Sequence, residues 1–228
     1  MTDAQDTCWT MIESAARGDA HERERFAERY GPPLRAYFAA RWRGAVMESH
    51  VEDATQVVFL ECLKEGGLLS KASPQSESGF RAFLYGAARN IARRFESRGA
   101  REQDRHSLSS LENVPAHDET SVSLAFDRAW AGQMMKNAAS VMAARAAKAD
   151  GRALERVDLL RLRFEEGLPI RAIASRWNRP ADQLHREYAR ARKEFKEALF
   201  SVIAYHCPGG SDRVQAEYEH LLGVLGPG

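Results

Sequence analysis

The sequence predicts an all-α fold made of two small helical domains joined by an acidic, flexible linker. Alanine, leucine, arginine and glutamate recur at helical spacing along most of the chain, whereas strand-like alternation is scarce. With 228 residues, of which 44% are apolar, the chain can bury one large core or two small ones. A polar segment between two basic regions favours two small cores over one large core. We expect domains at 1–105 and 124–207, a linker at 106–123 and an amphipathic extension at 208–228.

Breaks in the helical pattern delimit the individual helices. Pro32 and Pro33 are predicted to interrupt the early helices of the first domain, because proline removes a helical hydrogen-bond donor. Gly66 and Gly67 end the fourth helix, and the polar stretch 70–79 is typical of a loop. Helices are predicted at 8–17, 20–30, 33–43, 49–65, 79–98, 124–148, 153–166, 169–177, 180–204 and 211–225.

Cysteine usage and the absence of catalytic motifs narrow the function classes. Cys8, Cys62 and Cys207 are odd in number, far apart and without histidines at ligand spacing, which predicts a reducing cytosol and no metal site. The chain has no HExxH, no glycine-rich phosphate loop and no G-x-S-x-G motif, so we expect neither an enzyme nor a cofactor. An acidic N-terminus, and no apolar run near the roughly 20 residues of a membrane helix, predict a cytoplasmic protein without a membrane partner.

Charge is distributed unevenly, although the net charge is only +1. Residues 80–105 hold seven arginines against three acids, and residues 171–196 hold eight basic residues against three acids. Residues 107–127 between them hold four acids and no lysine or arginine, which is typical of a linker. Two basic regions joined by an acidic linker indicate a protein that binds a polyanion at two places. The alternative is that these charges are ordinary solvated charges on helical surfaces.

A short helix, a turn and a longer helix are predicted within 169–204. Asn178 can adopt the left-handed conformation that a sharp turn needs, and Pro180 suits the start of the second helix. Apolar residues on one face of each helix would hold the pair to the protein. These residues are Ile170, Ile173, Ala174 and Trp177 in the first helix, and Leu184, Tyr188, Ala191, Phe195 and Leu199 in the second.

The free face of the second helix carries donors suited to phosphates and to base edges in a DNA major groove. The short helix, the turn and the longer helix together predict a helix-turn-helix. The alternative, from periodicity alone, is an ordinary helical hairpin with a solvated basic face. The candidate DNA-binding residues are Gln183, His185, Arg186, Arg190 and Lys193.

Three short motifs lie in and just before this helix pair: "FEEGL" at 164–168, Ile173-Ala174, and Arg190-Ala191-Arg192. Through them, residues 160–199 resemble the fourth conserved region of bacterial RNA polymerase sigma factors, in the extracytoplasmic-function (ECF) branch. In the first half, "EDATQVVFLECL" and "GFRAFLYGAARNIARRFESR" resemble the second conserved region of the same family. The resemblance covers roughly 9–105 and 124–203 in the family's order.

The resemblance implies a region 2 helical bundle, a region 4 helix-turn-helix and a specific activity. The family acts as a detachable subunit that binds the polymerase core and directs promoter-specific initiation. The N-terminal domain would recognise the minus-ten element, and the helix-turn-helix the minus-thirty-five element. A dimeric helix-turn-helix repressor is the alternative, because the C-terminal half alone would satisfy it.

The resemblance implies that Glu52, Asp53 and Gln56 bind a coiled-coil clamp on the largest subunit of the polymerase core. Relatives commonly have a glutamate directly after the glutamine, where this chain has Val57. Val57 is either a core residue on a stripe with Ala54 and Leu60, or the loss of one anionic contact.

A lost anionic contact leads to a regulatory hypothesis. A phosphate on the neighbouring Thr55, with a charge of about −1.5 to −2, would replace the missing carboxylate. A serine/threonine kinase would then control core binding, and an anti-sigma protein is another regulator that the family allows.

Promoter opening requires stacking surfaces, a cationic track and a polar group for a flipped base. Residues 80–101 contain aromatic, arginine and asparagine side chains, and the period-four stripe Phe83, Ala87, Ile91 and Phe95 is predicted to be core. In the family the preceding loop, here Ser70 to Gly79, shapes the base pocket. The candidate minus-ten contacts are therefore Arg81, Arg89, Asn90, Arg93, Arg94 and Arg98.

Two further features depart from the family or lie outside it. Many relatives carry arginine where this chain has Glu187, which either accepts a hydrogen bond from a cytosine or pairs with Arg186 or Arg190. The C-terminal extension carries an apolar stripe that is too short to stand alone, so it should dock either on the second domain's core or across both domains. The stripe consists of Val214, Tyr218, Leu221, Leu222 and Leu225.

Overall fold

The computed structural model describes residues 8–71, 79–106, 118–207 and 210–226, and all regular elements within these ranges are helical. The predicted all-α class is therefore confirmed for the described part of the chain. Short 3₁₀ turns lie at Val46–His50 and Leu68–Lys71. The α-helices are α1 (Cys8–Ala16), α2 (Ala20–Arg41), α3 (Val51–Leu63), α4 (Gly79–His106), α5 (Glu119–Ala146), α6 (Gly151–Phe164), α7 (Ile170–Arg176), α8 (Ala181–His206) and α9 (Ser211–Leu225).

The helices form two compact units, whose boundaries differ from those predicted. The first unit contains the described residues up to Gln133 together with those from Ala204 onward, and the second runs from Met134 to Ile203. The predicted linker also differs at its end, because residues 119–123 form the first turn of α5. Residues 107–117 of that linker lie outside the described residues. No helix in the described ranges combines the length and apolar character needed to cross a membrane.

Helix α2 runs without interruption through Pro32 and Pro33, so the predicted break at this pair is wrong. Each proline removes one backbone donor, which ordinarily destabilises a helix interior by about 3 kcal/mol. Packing opposes this penalty on both sides of the pair. The fully buried side chains on either side are Tyr30, Leu34, Tyr37 and Phe38. Both halves of α2 are thus held on the same core, and tertiary packing overrides the local signal.

Aromatic side chains fill the core of the first unit. The Tyr30 ring lies 4.8 Å from Phe80 of α4 and 5.8 Å from Trp130 of α5, measured between ring centroids. Val122, Phe126 and Trp130 recur every four residues along α5, and all three are buried. This stripe explains why α5 begins in the first unit, although the sequence placed residues from 124 onward in the second domain.

Helix α9 also belongs to the first unit, which differs from the expectation that it covers the second domain's core. Leu221 is its buried residue, whereas Leu222 and Leu225 of the predicted apolar stripe are exposed, which corrects that part of the prediction. Polar contacts supplement this limited burial: Glu217 accepts a hydrogen bond from Arg81 of α4 at 3.2 Å, and His220 Nε2 lies 3.8 Å from Asp127 of α5.

The second unit contains the predicted short helix, turn and long helix as α7 and α8. Asn178 lies in the turn with φ of 50°, which confirms the left-handed conformation expected there. The Pro180 carbonyl accepts hydrogen bonds from the backbone N–H groups of Gln183 and Leu184, so Pro180 caps α8 instead of starting it. One apolar cluster joins α6, α7 and α8, and its buried members are Leu159, Leu162, Ile170, Ile173, Ala174 and Leu184.

Candidate functional site

The predicted DNA-binding side chains of α8 lie together on its exposed side. We call them the recognition face, and they are Gln183, His185, Arg186, Arg190 and Lys193. The opposite side of α8 is anchored as predicted, since Leu184, Ala191 and Leu199 are buried and Tyr188 and Phe195 are half-buried. The arrangement presents two arginines, a lysine, an amide and an imidazole to solvent from a helix whose position is fixed by its core side.

Glu187 does not belong to the recognition face. Only 16% of its side chain is exposed, and it accepts hydrogen bonds from Arg156 of α6 at 3.4 Å and from Arg190 at 3.1 Å. Arg156 also donates to Glu194, at 2.9 Å. Of the two predicted roles, the structure therefore favours pairing over cytosine recognition. Hydrogen bonding to Glu194, with Glu187 adding a smaller effect, raises the pKa of the Arg156 guanidinium above its ordinary value.

Arg156 is a residue that supports the recognition face and that could not be identified from the sequence. It precedes Glu187 by 31 residues, so no helical spacing connects the two. Its guanidinium joins α6 to α8 through two carboxylates, and one of them, Glu187, also accepts a hydrogen bond from Arg190 of the recognition face.

Replacing Arg156 by alanine should lower the free energy of unfolding of the full chain by about 1 to 3 kcal/mol, because Glu194 and Glu187 each lose a charge-assisted hydrogen bond. Arg152→Ala is the matched control, since Arg152 is an exposed arginine on the same helix. Urea unfolding followed by circular dichroism measures both variants. Equal stability of the two variants would show that the Arg156 pairs contribute nothing measurable.

Five of the six predicted minus-ten residues lie on the exposed side of α4. We call them the α4 basic face, and they are Arg89, Asn90, Arg93, Arg94 and Arg98. Arg94 lies 3.9 Å from Glu61 of α3, and 59% of the Arg94 side chain is exposed. The hydrogen bond from Lys64, with Arg94 adding a smaller effect, lowers the pKa of Glu61. Four cationic side chains and one amide thus share a surface on this helix.

The buried side of α4 differs in part from the predicted stripe. Ala87 and Ile91 are buried as expected, but Phe83 and Phe95 are only half-buried at its edges. The buried side of α4 is shifted by about one residue relative to the predicted stripe, because α4 packs against several helices at once. Its buried residues are Phe80, Leu84, Ala87, Ala88, Ile91 and Ala92.

Arg81 is separate from the α4 basic face, which argues against the predicted minus-ten contact. Its guanidinium donates to Asp127 of α5 at 2.6 Å and to Glu217 of α9 at 3.2 Å. Only 28% of its side chain is exposed. Both carboxylates lie far along the sequence, so the sequence pattern could not distinguish this arginine from its neighbours. Within the first unit, Arg81 joins α4, α5 and α9.

The loop expected to shape a base pocket is described only at its ends. Ser70 lies in the second 3₁₀ turn and Gly79 begins α4, whereas residues 72–78 lie outside the described residues.

The predicted polymerase-binding residues lie together on the exposed side of α3. Glu52, Asp53 and Gln56 are exposed, and Leu60, one turn further along, is 68% exposed. We call these four residues the α3 face. Leu60 was predicted as a possible core position, and its exposure corrects that interpretation. The buried side of α3 is formed by Ala54, Thr55, Val58 and Cys62.

Both carboxylates of the α3 face lie next to cations of the same unit. Arg35 of α2 donates through Nε to both carboxylate oxygens of Glu52, at 2.9 and 3.0 Å. His50 Nδ1 lies 3.6 Å from Asp53, a pair that is ionic when His50 is protonated. The negative charge of this face is therefore partly balanced within the protein.

The position of Thr55 argues against the phosphorylation hypothesis. Thr55 is 1% exposed, and its hydroxyl donates to the Val51 carbonyl at 2.8 Å. A kinase could reach this hydroxyl only after α3 opened, and a dianionic phosphate in the core would be strongly destabilising. The neighbouring Val57 is half-buried, and it lies between the core side and the α3 face.

Comparison with known proteins gives no match: no protein-family model, curated protein or solved structure is similar to this chain at a significant level.

Proposed function

We propose that the chain is an ECF-type sigma factor, a detachable subunit that binds bacterial RNA polymerase core and directs promoter-specific initiation in the cytoplasm. The observation that carries the proposal is the exposure of residues in the family-like motifs. The recognition face, the α4 basic face and the α3 face all project to solvent, while their neighbours in the same helices are buried. A region 2-like module would lie in the first unit and a region 4-like helix-turn-helix in the second.

The recognition face supports duplex DNA binding at the minus-thirty-five element. Arginine and lysine donate to phosphates and to guanine edges, and glutamine suits adenine. Glu187 is held by Arg156 and Arg190, so it does not pair with Arg186 or Lys193 of the recognition face. Arg186 is exposed and has no side-chain partner among the described residues, which makes it the first candidate for a direct contact.

The α4 basic face supports binding of the opened minus-ten strand. Its arginines would follow the phosphates, and Asn90 carries both a donor and an acceptor for one base edge. The rings of Phe83 and Phe95 on α4 are half-buried, so part of each ring is exposed for stacking. Arg81 takes no part in this step, because its guanidinium is held by two carboxylates.

The α3 face supports docking on a basic surface of the polymerase core. It combines two carboxylates and one amide with an exposed leucine that can pack against the aliphatic parts of the partner's side chains.

The stoichiometry of binding separates this proposal from the dimeric repressor. The full chain should form a one-to-one complex with bacterial core polymerase in size-exclusion chromatography with light scattering, and it should be a monomer alone. A dimer that binds duplex DNA by itself and ignores core polymerase would favour the repressor.

Arg186→Ala should weaken promoter binding by the reconstituted holoenzyme by about 1 to 3 kcal/mol if Arg186 contacts a base edge. If it contacts only a phosphate, the slope of log affinity against log salt should fall by about 1. Fluorescence anisotropy on labelled promoter DNA at several salt concentrations measures both quantities. Arg152→Ala is the control with the same charge change, and equal affinity of the two variants would remove Arg186 from the interface.

A further inference from the structure

The Arg35–Glu52 contact lies at the N-terminal end of the α3 face. Arg35 is exposed, yet its Nε reaches both oxygens of one carboxylate at hydrogen-bonding distance. Glu52 is one of the two anionic side chains of this face, so the pair removes about half of its available negative charge. Any basic partner that approaches Glu52 meets a guanidinium already bound there.

Gly31 provides the space in which the Arg35 side chain lies. A Cβ atom at this position would stand 2.8 Å from Arg35 Nη1 and 3.5 Å from Cζ. Gly31 is buried although it has no side chain, and it lies inside α2 with an ordinary negative φ. Glycine in a helix interior costs about 1 kcal/mol relative to alanine. No turn requires glycine here, whereas the guanidinium lying over it does need the space.

We infer that Arg35 is an internal competitor for the basic partner of the α3 face, and that it lowers the affinity of this chain for polymerase core. The inference rests on the proposed function. A cation of the partner has to displace Arg35 before it can pair with Glu52, so the new ion pair replaces an existing one. The absence of an acid at Val57 acts in the same direction, because it leaves fewer carboxylates to attract the partner.

The exposure of the pair limits the expected effect. Exposed ion pairs contribute up to about 1 kcal/mol, so removing Arg35 should tighten core binding by roughly two- to fivefold. The pair is also screened by salt, and the gain should therefore shrink as ionic strength rises.

Arg35→Ala and Arg25→Ala form a matched pair of variants. Both residues are arginines of α2 that pair with a glutamate, at 2.9 Å for Arg35 and 2.8 Å for Arg25, and their side chains are 48% and 40% exposed. The two variants change the net charge equally, and only the first frees a carboxylate of the α3 face. Core affinity measured by biolayer interferometry with the full chain should rise for Arg35→Ala and stay unchanged for Arg25→Ala.

A double-mutant cycle tests whether the effect passes through Glu52. In a Glu52→Gln background, Arg35→Ala should give no gain, because the amide offers no charge to release. Gly31→Ala provides a test without any change of charge. Its methyl group displaces the flexible end of Arg35, so core affinity should rise in the same direction, and thermal unfolding verifies that α2 remains intact.

The outcomes separate this inference from the proposed function. If Arg35→Ala weakens binding, leaves it unchanged or tightens it equally in the Glu52→Gln background, the competitor is overturned. The proposed function survives those results as long as Asp53→Ala or Gln56→Ala lowers core affinity. If neither of these variants changes core affinity, the α3 face is not the docking surface, and that part of the proposed function fails together with the competitor.

Discussion

Replacing Arg41 by alanine is expected to lower the free energy of unfolding by about 3 to 5 kcal/mol, because the change removes the guanidinium that pairs with a partly buried carboxylate. Arg41 is 8% exposed. It donates to Glu96 of α4 through Nε at 2.6 Å and Nη2 at 3.1 Å, and to Glu119 of α5 at 3.0 Å. The hydrogen bonds to Glu96 are the largest cause that raises the pKa of Arg41.

The same network determines where α5 begins to pack. Trp42 donates its indole N–H to Glu96 at 3.0 Å, and Arg41 lies within 3.4 Å of the Tyr37 hydroxyl. Glu119 is the first residue of α5, so Arg41 connects the end of α2 to the start of α5.

Urea unfolding of the full chain measures the Arg41 effect. Arg35→Ala is the control, because its exposed ion pair should contribute at most about 1 kcal/mol. The loss of unfolding free energy in Arg41→Lys should lie between the losses in Arg41→Ala and Arg35→Ala. Lysine keeps the charge but lacks the planar guanidinium that reaches both carboxylates. A loss below about 1 kcal/mol in Arg41→Ala would contradict the network's structural role.

Reversing the charge of the α3 face should give the largest loss of core binding. Asp53→Lys is expected to weaken binding of the full chain to core polymerase by roughly 100-fold or more, because a like charge against a basic partner costs several kcal/mol. Asp53 is exposed, so the substitution should leave thermal unfolding nearly unchanged.

Glu24→Lys is the matched charge-reversal control for Asp53→Lys. Glu24 is an exposed carboxylate of α2 in the same unit, and the change in net charge is the same. It should alter core affinity by less than about threefold, as expected for long-range charge effects that salt screens. Equal losses in both variants would point to general electrostatic attraction instead of a defined α3 face.

Local periodicity predicted the parts of the structure that depend on single helices. The all-α class, the Asn178 turn and the buried side of α8 all follow from apolar spacing and turn chemistry within about 30 residues. The exposed α3, α4 and α8 residues follow from the same patterns, since a helix that buries one side presents the other.

Contacts between distant segments explain what the sequence could not predict. Arg81, Arg156 and Arg35 look alike as surface arginines, and only the fold brings each to its carboxylate partners. The continuous α2 depends on core packing from other helices, which outweighs the local effect of Pro32 and Pro33. The phosphorylation hypothesis requires an accessible Thr55, which lies next to the exposed Gln56, yet Thr55 is on the buried side of the same helix.

In vitro transcription tests the central claim most directly. Purified bacterial core polymerase with the full chain, on a library of genomic fragments, should yield transcripts from a small set of promoters that share two spaced elements. Core alone should not produce them, and the Asn90→Ala and Arg186→Ala variants should reduce them. If the folded chain neither binds core nor yields any new start site, the chain is not a sigma factor.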